Sequence, residues 1–168
     1  MDLSVKFVQD VELAISVMRN AGEWLLESGK NPSKWWQPQN MNREFLLQHA
    51  NPEEFYARLV DRKPAVAAIF QFDQRNQDWT SVDKNQPQKA LYIHWLCVYR
   101  GFAGKGLPKI MIDFAVKKAL ENNIKLLRAD TNANMMKLRK IYKELGFTLV
   151  GIEKEDYRQT AFYQKKIS

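Results

Sequence analysis

Apolar and polar positions change period several times along the chain, and each change marks an element. Residues 5–8, Val5-Lys6-Phe7-Val8, have the make-up of a short opening strand. Asp10 follows as an N-cap, and Leu13, Val17, Met18, Ala21 and Leu25 then recur at helical spacing until Gly29 ends the run. Residues 31–42 lose that period and carry Pro32, Pro38 and the pair Trp35-Trp36, which predicts an irregular segment. The two tryptophans read there either as a lid packed on the core or as the wall of a binding cleft. Asn51, Pro52 and Glu54 have the spacing of a capping box with proline at the first helical position, and they predict a second helix. Residues 65–72 are an apolar run expected for a buried strand, 74–88 are polar and turn-rich, and 90–98 return to the aromatic and β-branched residues of a strand.

The second half alternates more regularly. A glycine-bearing loop at 100–106 leads into a helix over 107–122, with Leu107, Ile110, Met111, Phe114 and Ala115 on one side. A strand at 124–130, a helix at 135–145 closed by Gly146, and a strand at 147–152 come next. A last strand at 157–167 sets Thr160, Phe162 and Gln164 against Ala161 and Tyr163. Strands and helices in this order predict an α/β fold, one mixed sheet covered by helices on both faces. The length of 168 residues suits one domain spanning 1–168.

Composition narrows the partner. Hydrophobic residues at 45% and charged residues at 27% are ordinary for a globular protein and argue against disorder. Lys and Arg number 26 against 19 Asp and Glu, a net charge of +7, which first suggests a polyanion. The basic residues are scattered, however, with Glu121, Glu144, Glu153 and Glu155 among them, and no nucleic-acid-binding motif accompanies them. No nucleic acid is therefore expected. One cysteine and the two histidines His49 and His94 give neither an internal disulfide nor a finger-type metal site. No apolar run approaches the roughly 20 residues that span a bilayer. The first residues, Met1-Asp2-Leu3-Ser4-Val5-Lys6, have no secretory pattern, so no membrane and a cytoplasmic location are expected.

The segment most informative for chemistry is Val98-Tyr99-Arg100-Gly101-Phe102-Ala103-Gly104-Lys105-Gly106-Leu107-Pro108-Lys109. A strand feeds a glycine-bearing turn, and the turn opens a helix. Such a turn presents backbone N–H groups at the end of the helix where the dipole also favours negative charge. Lys105 adds a cation beside it. The physical reading is a phosphate or pyrophosphate cradle, and the alternative is a plain turn. It lacks the Gly-Lys-Ser/Thr ending of a Walker loop and does not sit in the first βα unit of a dinucleotide fold.

This stretch resembles the central motif of the GNAT superfamily of N-acetyltransferases, Arg/Gln-x-x-Gly-x-Gly/Ala opening a helix after a strand. Leu91-Tyr92-Ile93-His94-Trp95-Leu96-Cys97-Val98 is similar to that family's fourth strand, which splays from its neighbour to admit the pantetheine arm. Leu127-Arg128-Ala129-Asp130-Thr131 and then Leu138 to Phe147 are similar to its later motif, and the two motifs have the family's order and separation. The resemblance covers about residues 90–152. It implies the family's mixed, mostly antiparallel central sheet and transfer of an acetyl group from acetyl-coenzyme A (acetyl-CoA) to an amine. It also implies cofactor contacts from Leu96, Cys97, Val98, Arg100, Ala103, Gly104, Lys105, Gly106, Leu107, Lys109 and Asn134. Three departures stand out. Ala103 occupies the position where Arg or Gln is commonest, although some relatives carry an Arg three residues earlier, as Arg100 is here. Pro108 replaces the last Gly or Ala and removes one donor, and Met135 takes the place of a usual Asn, with Asn134 just before it.

The resemblance places Tyr142 at the position that protonates the thiolate, and a phenol with pKa near 10 is a suitable acid for a thiol near 8.5. A backbone N–H of Cys97 or Val98 would polarise the thioester carbonyl where the strand splays. His94 has the pKa of an amine-deprotonating base, against the alternative of a satisfied structural histidine. Strand alternation puts His94, Leu96 and Val98 on one face and Trp95, Cys97 and Tyr99 on the other. Asp130 caps the next helix or orients the amine, the cap being favoured. Cys97 reads as core packing. Trp35, Trp36 and the loop after Phe72 would form the acceptor cleft, with aromatic lining suited to a cationic or aromatic amine, whether a small molecule or a peptide amine. The competing reading is a catalytically weak acyl-CoA-binding regulatory module, suggested by Pro108 and Met135. Relatives are often homodimers, and the C-terminal strand could pair across an interface.

Overall fold

The computed structural model describes residues 6–30, 32–74, 78–154 and 159–168. In chain order the elements are β1 (Lys6–Gln9), α1 (Val11–Glu27), a 3-10 turn (Pro38–Asn40), α2 (Arg43–Leu46), a 3-10 turn (Pro52–Glu54), β2 (Phe55–Val60) and β3 (Lys63–Gln71). They continue with α3 (Thr80–Asp83), β4 (Leu91–Val98), a 3-10 turn (Arg100–Phe102), α4 (Leu107–Glu121), β5 (Leu126–Asn132), α5 (Met136–Glu144), β6 (Thr148–Lys154) and β7 (Gln159–Lys166). The strands hydrogen-bond in the order β1-β2-β3-β4-β5-β7-β6. β4 and β5 run parallel, while β1 with β2, β2 with β3, β5 with β7 and β6 with β7 are antiparallel. The class is α/β with a mixed sheet, as expected. Val5 and Tyr157, taken above as strand residues, lie outside the described residues.

Two compact units share the chain: Met1–Phe70 with Trp95–Met111, and Gln71–His94 with Ile112–Ser168. In the first unit the Asp10 carboxylate accepts from the Leu13 amide at 2.9 Å, and the Asp10 amide donates to the Phe55 carbonyl at 3.2 Å. The cap thus satisfies one orphan donor of α1 and ties its start to β2. Ala14, Val17 and Met18 of the helix bury against Met41, Leu46, Phe55, Ala57 and Ile69. Gly22 is buried, and a Cβ there would lie 2.6 Å from the Trp36 carbonyl oxygen, so α1 and the irregular segment meet backbone to backbone. Arg19 donates to the Met41 carbonyl through Nε at 3.2 Å and Nη2 at 3.0 Å, closing the far end of that segment.

The second helix expected from Asn51 does not form. The capping box is present, with the Asn51 amide donating to Glu54 Oε1 at 2.7 Å, but it encloses one 3-10 turn before β2 begins. From Phe55 onward the burial alternates, Phe55, Ala57 and Leu59 in and Tyr56, Arg58 and Val60 partly out, and pairing with β1 and β3 overrides the local helix signal. Asp61 and Arg62 make the two-residue turn into β3 at φ 50° and 66°, the left-handed pair that a tight hairpin requires. The short helix α2, capped by Asn42 accepting from the Phe45 amide at 2.8 Å, is not predicted by the sequence.

In the second unit β7 lies between β5 and β6 and buries four successive residues, Thr160 to Tyr163, so alternation along it is not visible as alternating burial. The polar stretch 74–88 is not a plain loop. It carries α3, the buried Trp79 and the buried Asp83. Arg128 of β5 meets Asp83 two-pronged, Nη2 to Oδ1 at 2.6 Å and Nη1 to Oδ2 at 3.1 Å, and Nη1 also donates to the Tyr92 hydroxyl at 3.1 Å. Their side chains are 0% and 4% exposed, and the guanidinium lies 4.5 Å from the centroid of Trp79. Gln74 completes the arrangement, donating to Asp83 at 3.1 Å and accepting from the Trp79 amide at 2.8 Å.

A buried pair broken on one side leaves a charge with no partner, which costs about 3–5 kcal/mol. Asp83→Ala should therefore lower the unfolding free energy measured by urea titration by that much, and the double variant Asp83→Ala/Arg128→Met should recover most of the loss. A single variant as stable as the parent would remove the anchoring role of the pair.

Candidate active site

The site begins where β4 departs from regular geometry. Its parallel ladder joins Leu91, Tyr92 and Ile93 to Leu127, Arg128 and Ala129. Two residues on, Trp95 has φ 52°, in the left-handed region that a bulky residue occupies only under strain, at a cost of about 1–3 kcal/mol. What holds it there is visible. The Trp95 indole N–H donates to the Trp35 carbonyl at 2.7 Å, and its ring packs on the core of the first unit. Beyond the kink Leu96 and Cys97 are buried and Val98 is half-buried. Trp95 and Cys97 face the same core, as alternation required. Burial alone pushes the Cys97 thiol far up, which keeps it protonated and suits packing rather than nucleophilic chemistry.

The loop then turns into α4. The Tyr99 amide donates to the Ala65 carbonyl at 2.8 Å and anchors its start. Gly104 and Gly106 have φ 79° and 72°, and a Cβ on either would meet nothing within 4 Å. Backbone conformation demands glycine there, and the space above them is open. Ala103, Gly104, Lys105 and Gly106 are exposed, whereas Leu107 is buried and fixes the start of α4. Pro108 is the second residue of α4, where its amide would lack an intrahelical partner in any case. Around this turn stand three cations. The Arg100 guanidinium lies 3.8 Å from the centroid of the Trp24 ring, with the Arg100 amide donating to Asn20 Oδ1 at 2.8 Å. Lys105 Nζ is 5.6 Å from the centroid of Phe102, and Lys109 is exposed in the first turn of α4. Every expected cofactor residue from Leu96 to Lys109 thus lies in the first unit, along with Trp35 and Trp36.

The two tryptophans have different surroundings. Trp36 is half-buried and packs on the core of the first unit. Trp35 belongs to a half-buried aromatic group with Phe45, His49 and Trp95, at ring-centroid distances of 6.0, 4.8 and 5.9 Å, and Lys34 Nζ lies 4.7 Å over its ring. His49 was not singled out in the sequence, because the stretch around it carried no motif. Burial first, and the Lys34 charge second, lower its pKa, which favours the neutral imidazole.

The remaining expected residues belong to the second unit. Tyr142, in α5, is 2% exposed and stacks on Tyr163 at 5.6 Å with Phe147 edge-on at 5.3 Å. Burial first, and Asp130 second, push its phenol well above the ordinary value, so the hydroxyl is protonated at neutral pH but is a weaker acid than in water. His94 is half-buried in β4, one residue before the kink. Asn134 is exposed, its amide donating to Asn132 Oδ1 at 3.0 Å. Asp130 does not cap the next helix: β5 continues through it to Asn132, and Met135 stands at the N-cap without a side-chain bond. Arg139, overlooked in the sequence, joins α5 to β7 by donating to the Tyr163 hydroxyl at 2.8 Å and to the Ala133 carbonyl at 3.0 Å.

The sequence model of the Acetyltransferase (GNAT) family matches residues 21–147, from within α1 to Phe147, just past the helix that carries Tyr142. The chain belongs to the GNAT acetyltransferase family. An N-acetyltransferase of Bacillus subtilis (strain 168), YesJ, described as uncharacterized, is 21% identical over 162 residues, 95% of this chain and 87% of that protein. A GNAT family acetyltransferase of Listeria monocytogenes 4b F2365 superposes with TM-score 0.71 at 26% identity, over 97% of this chain and 94% of its own. The PaiA N-acetyltransferase of Thermoplasma acidophilum, solved in complex with coenzyme A, gives TM-score 0.70 at 16% identity over 98% and 99% of the two chains, a likeness of fold.

For this acetyltransferase, among the described residues, no group of three or more His, Cys, Asp and Glu is disposed to hold a metal ion, and no helix is long and apolar enough to cross a membrane. The aromatic group gives the folded state a pH signature. Because the His49 pKa is lowered below its ordinary 6.5, the unfolded chain takes up the proton first as pH falls. The contribution of His49 to stability is complete above that value and declines below it. Melting temperature should drop more between pH 7.5 and 5 for the parent than for His49→Asn, and parallel curves would contradict the shift.

Proposed function

We propose that this acetyltransferase binds acetyl-CoA on the turn before α4 and transfers the acetyl group to a primary amine, of a small molecule or a peptide. The carrying observation is the open glycine turn at the head of α4, with Arg100 held beside it and Lys105 and Lys109 close in sequence. Those residues fit a phosphate-rich ligand: left-handed glycines free the backbone to approach it, and first-turn amides and cations meet its charge. The bound cosubstrate supplies an acetyl group activated as a thioester.

The chain's residues then have three tasks. A backbone N–H of Cys97 or Val98, past the Trp95 kink, donates to the carbonyl oxygen and favours the charge that develops there when an amine attacks. His94 accepts the proton that the amine must lose. Tyr142 supplies a proton to the departing sulfur, a role supported by its protonated state and by its place in the motif. The amine's nitrogen gains the acetyl carbon, the carbon–sulfur bond breaks, and one proton leaves nitrogen while one reaches sulfur. Asn134 adds a polar contact to the cofactor, and Trp35, with the aromatic group around it, and Trp36 form the acceptor side.

Two measurements test this reading. Titration calorimetry with acetyl-CoA should give saturable heat at micromolar to millimolar ligand, and no heat at millimolar ligand would end the proposal. Tyr142→Phe should cut kcat at least about tenfold, within the range for a lost general acid, and leave coenzyme A affinity unchanged. Turnover equal to the parent's would remove Tyr142 as the acid. Binding without thiol release across a panel of amines would instead favour the regulatory module.

A further inference from the structure

We infer that Asn20 and Trp24 of α1 are positioning residues that hold Arg100 ready to grip a phosphate of the cofactor. The inference rests on the cofactor reading above and adds to it two residues that no motif marks. Its starting point is a missing charge. Ala103, an exposed residue in the turn, has no cation to offer, and Arg100 is the arginine nearest to it in the loop.

An arginine on a surface loop ordinarily samples many rotamers, and it loses that freedom when it closes on an anion. Arg100 has been constrained beforehand, by two separate contacts. Its guanidinium lies 3.8 Å from the centroid of Trp24, and its amide donates to Asn20 Oδ1 at 2.8 Å. One contact fixes the side chain and the other the backbone. Asn20 and Trp24 are four residues apart on α1 and so share a face of the helix. Between them Gly22 abuts the Trp36 carbonyl, which limits how far α1 can slide. A helix packed in this way positions a group more tightly than a loop could.

A guanidinium seated over a ring at this distance also keeps donors available. The ring contact is not a hydrogen bond, so it leaves the guanidinium N–H groups to match the spacing of phosphate oxygens. Arg100 is exposed and forms no ion pair with a carboxylate among the described residues. Its charge is therefore uncommitted within the described chain. The chemistry it suits is a phosphate group, which coenzyme A offers both as a diphosphate and as a 3′-phosphate.

Calorimetry on the full chain with coenzyme A and with dephospho-coenzyme A tests the inference. Arg100→Ala should raise the Kd for coenzyme A about tenfold, as expected for a lost charge-assisted bond. Trp24→Leu should raise it about threefold, Asn20→Ala should raise it in the same direction, and Trp24→Phe should stay near the parent because an aromatic face is kept. In an Arg100→Ala background, Trp24→Leu should change Kd by less than about 1.5-fold, since its effect runs through the missing guanidinium. A loss confined to coenzyme A assigns Arg100 to the 3′-phosphate, and an equal loss with dephospho-coenzyme A assigns it to the diphosphate. Parent-like Kd for both Trp24→Leu and Asn20→Ala, or a Trp24→Leu effect as large without Arg100 as with it, overturns the inference. If Trp24→Leu does not fold, Asn20→Ala and its combination with Arg100→Ala decide alone. A parent that binds no coenzyme A would sink the cofactor reading itself, whereas a binding parent with an indifferent Arg100→Ala sinks this inference only.

Discussion

The left-handed backbone at Trp95 is the constraint on which the first unit's working end depends. A strand continuing regularly through that residue would present its later positions in a different register. The kink is affordable because the indole has a hydrogen-bond acceptor in the Trp35 carbonyl and an apolar seat against the core. The path that follows is then set step by step. Cys97 is buried, the Tyr99 amide finds the Ala65 carbonyl, and the chain enters the turn that opens α4. Backbone strain of this kind persists only where the surrounding structure over-determines it.

The two units solve the problem of anchoring irregular chain in different ways. In the first, the segment around Trp35 and Trp36 is held by rings and by backbone contact with α1. In the second, the polar stretch around α3 is held by the buried pairing of Asp83 with Arg128. Part of the chain's basic character is thus spent inside the protein. Arg128 is wholly buried, and Arg100 lies on an aromatic face. The positive net charge is a sum over several unlike uses and not the mark of one binding surface.

Legibility in the sequence followed the range over which each cause acts. The turn before α4 could be read because its glycines, cations and helix start are adjacent, and their spacing is itself the geometry. The caps at Asp10 and Gly146 are local for the same reason. Asn51, Pro52 and Glu54 misled because a capping box has the same sequence whether one turn follows or four; the decision lay with the partners of β2, residues 6–9 and 63–71. Trp95 adopts a conformation opposed to the preference of an aromatic residue, so no propensity could announce it. Asp83 and Arg128 are 45 residues apart, and His49 meets Trp95 only through the fold. Asp130 could be seen as polar at a strand end, but the strand ran on two residues further.

Cys97 has a practical consequence. It is the chain's single thiol, 9% exposed and held protonated by the apolar core. A chromogenic disulfide reagent reacts with accessible thiolate, so such a reagent would register a thiol released into solution while the folded protein itself contributed almost no colour. The packing of one small side chain therefore makes the enzyme nearly silent in the assay best suited to following it.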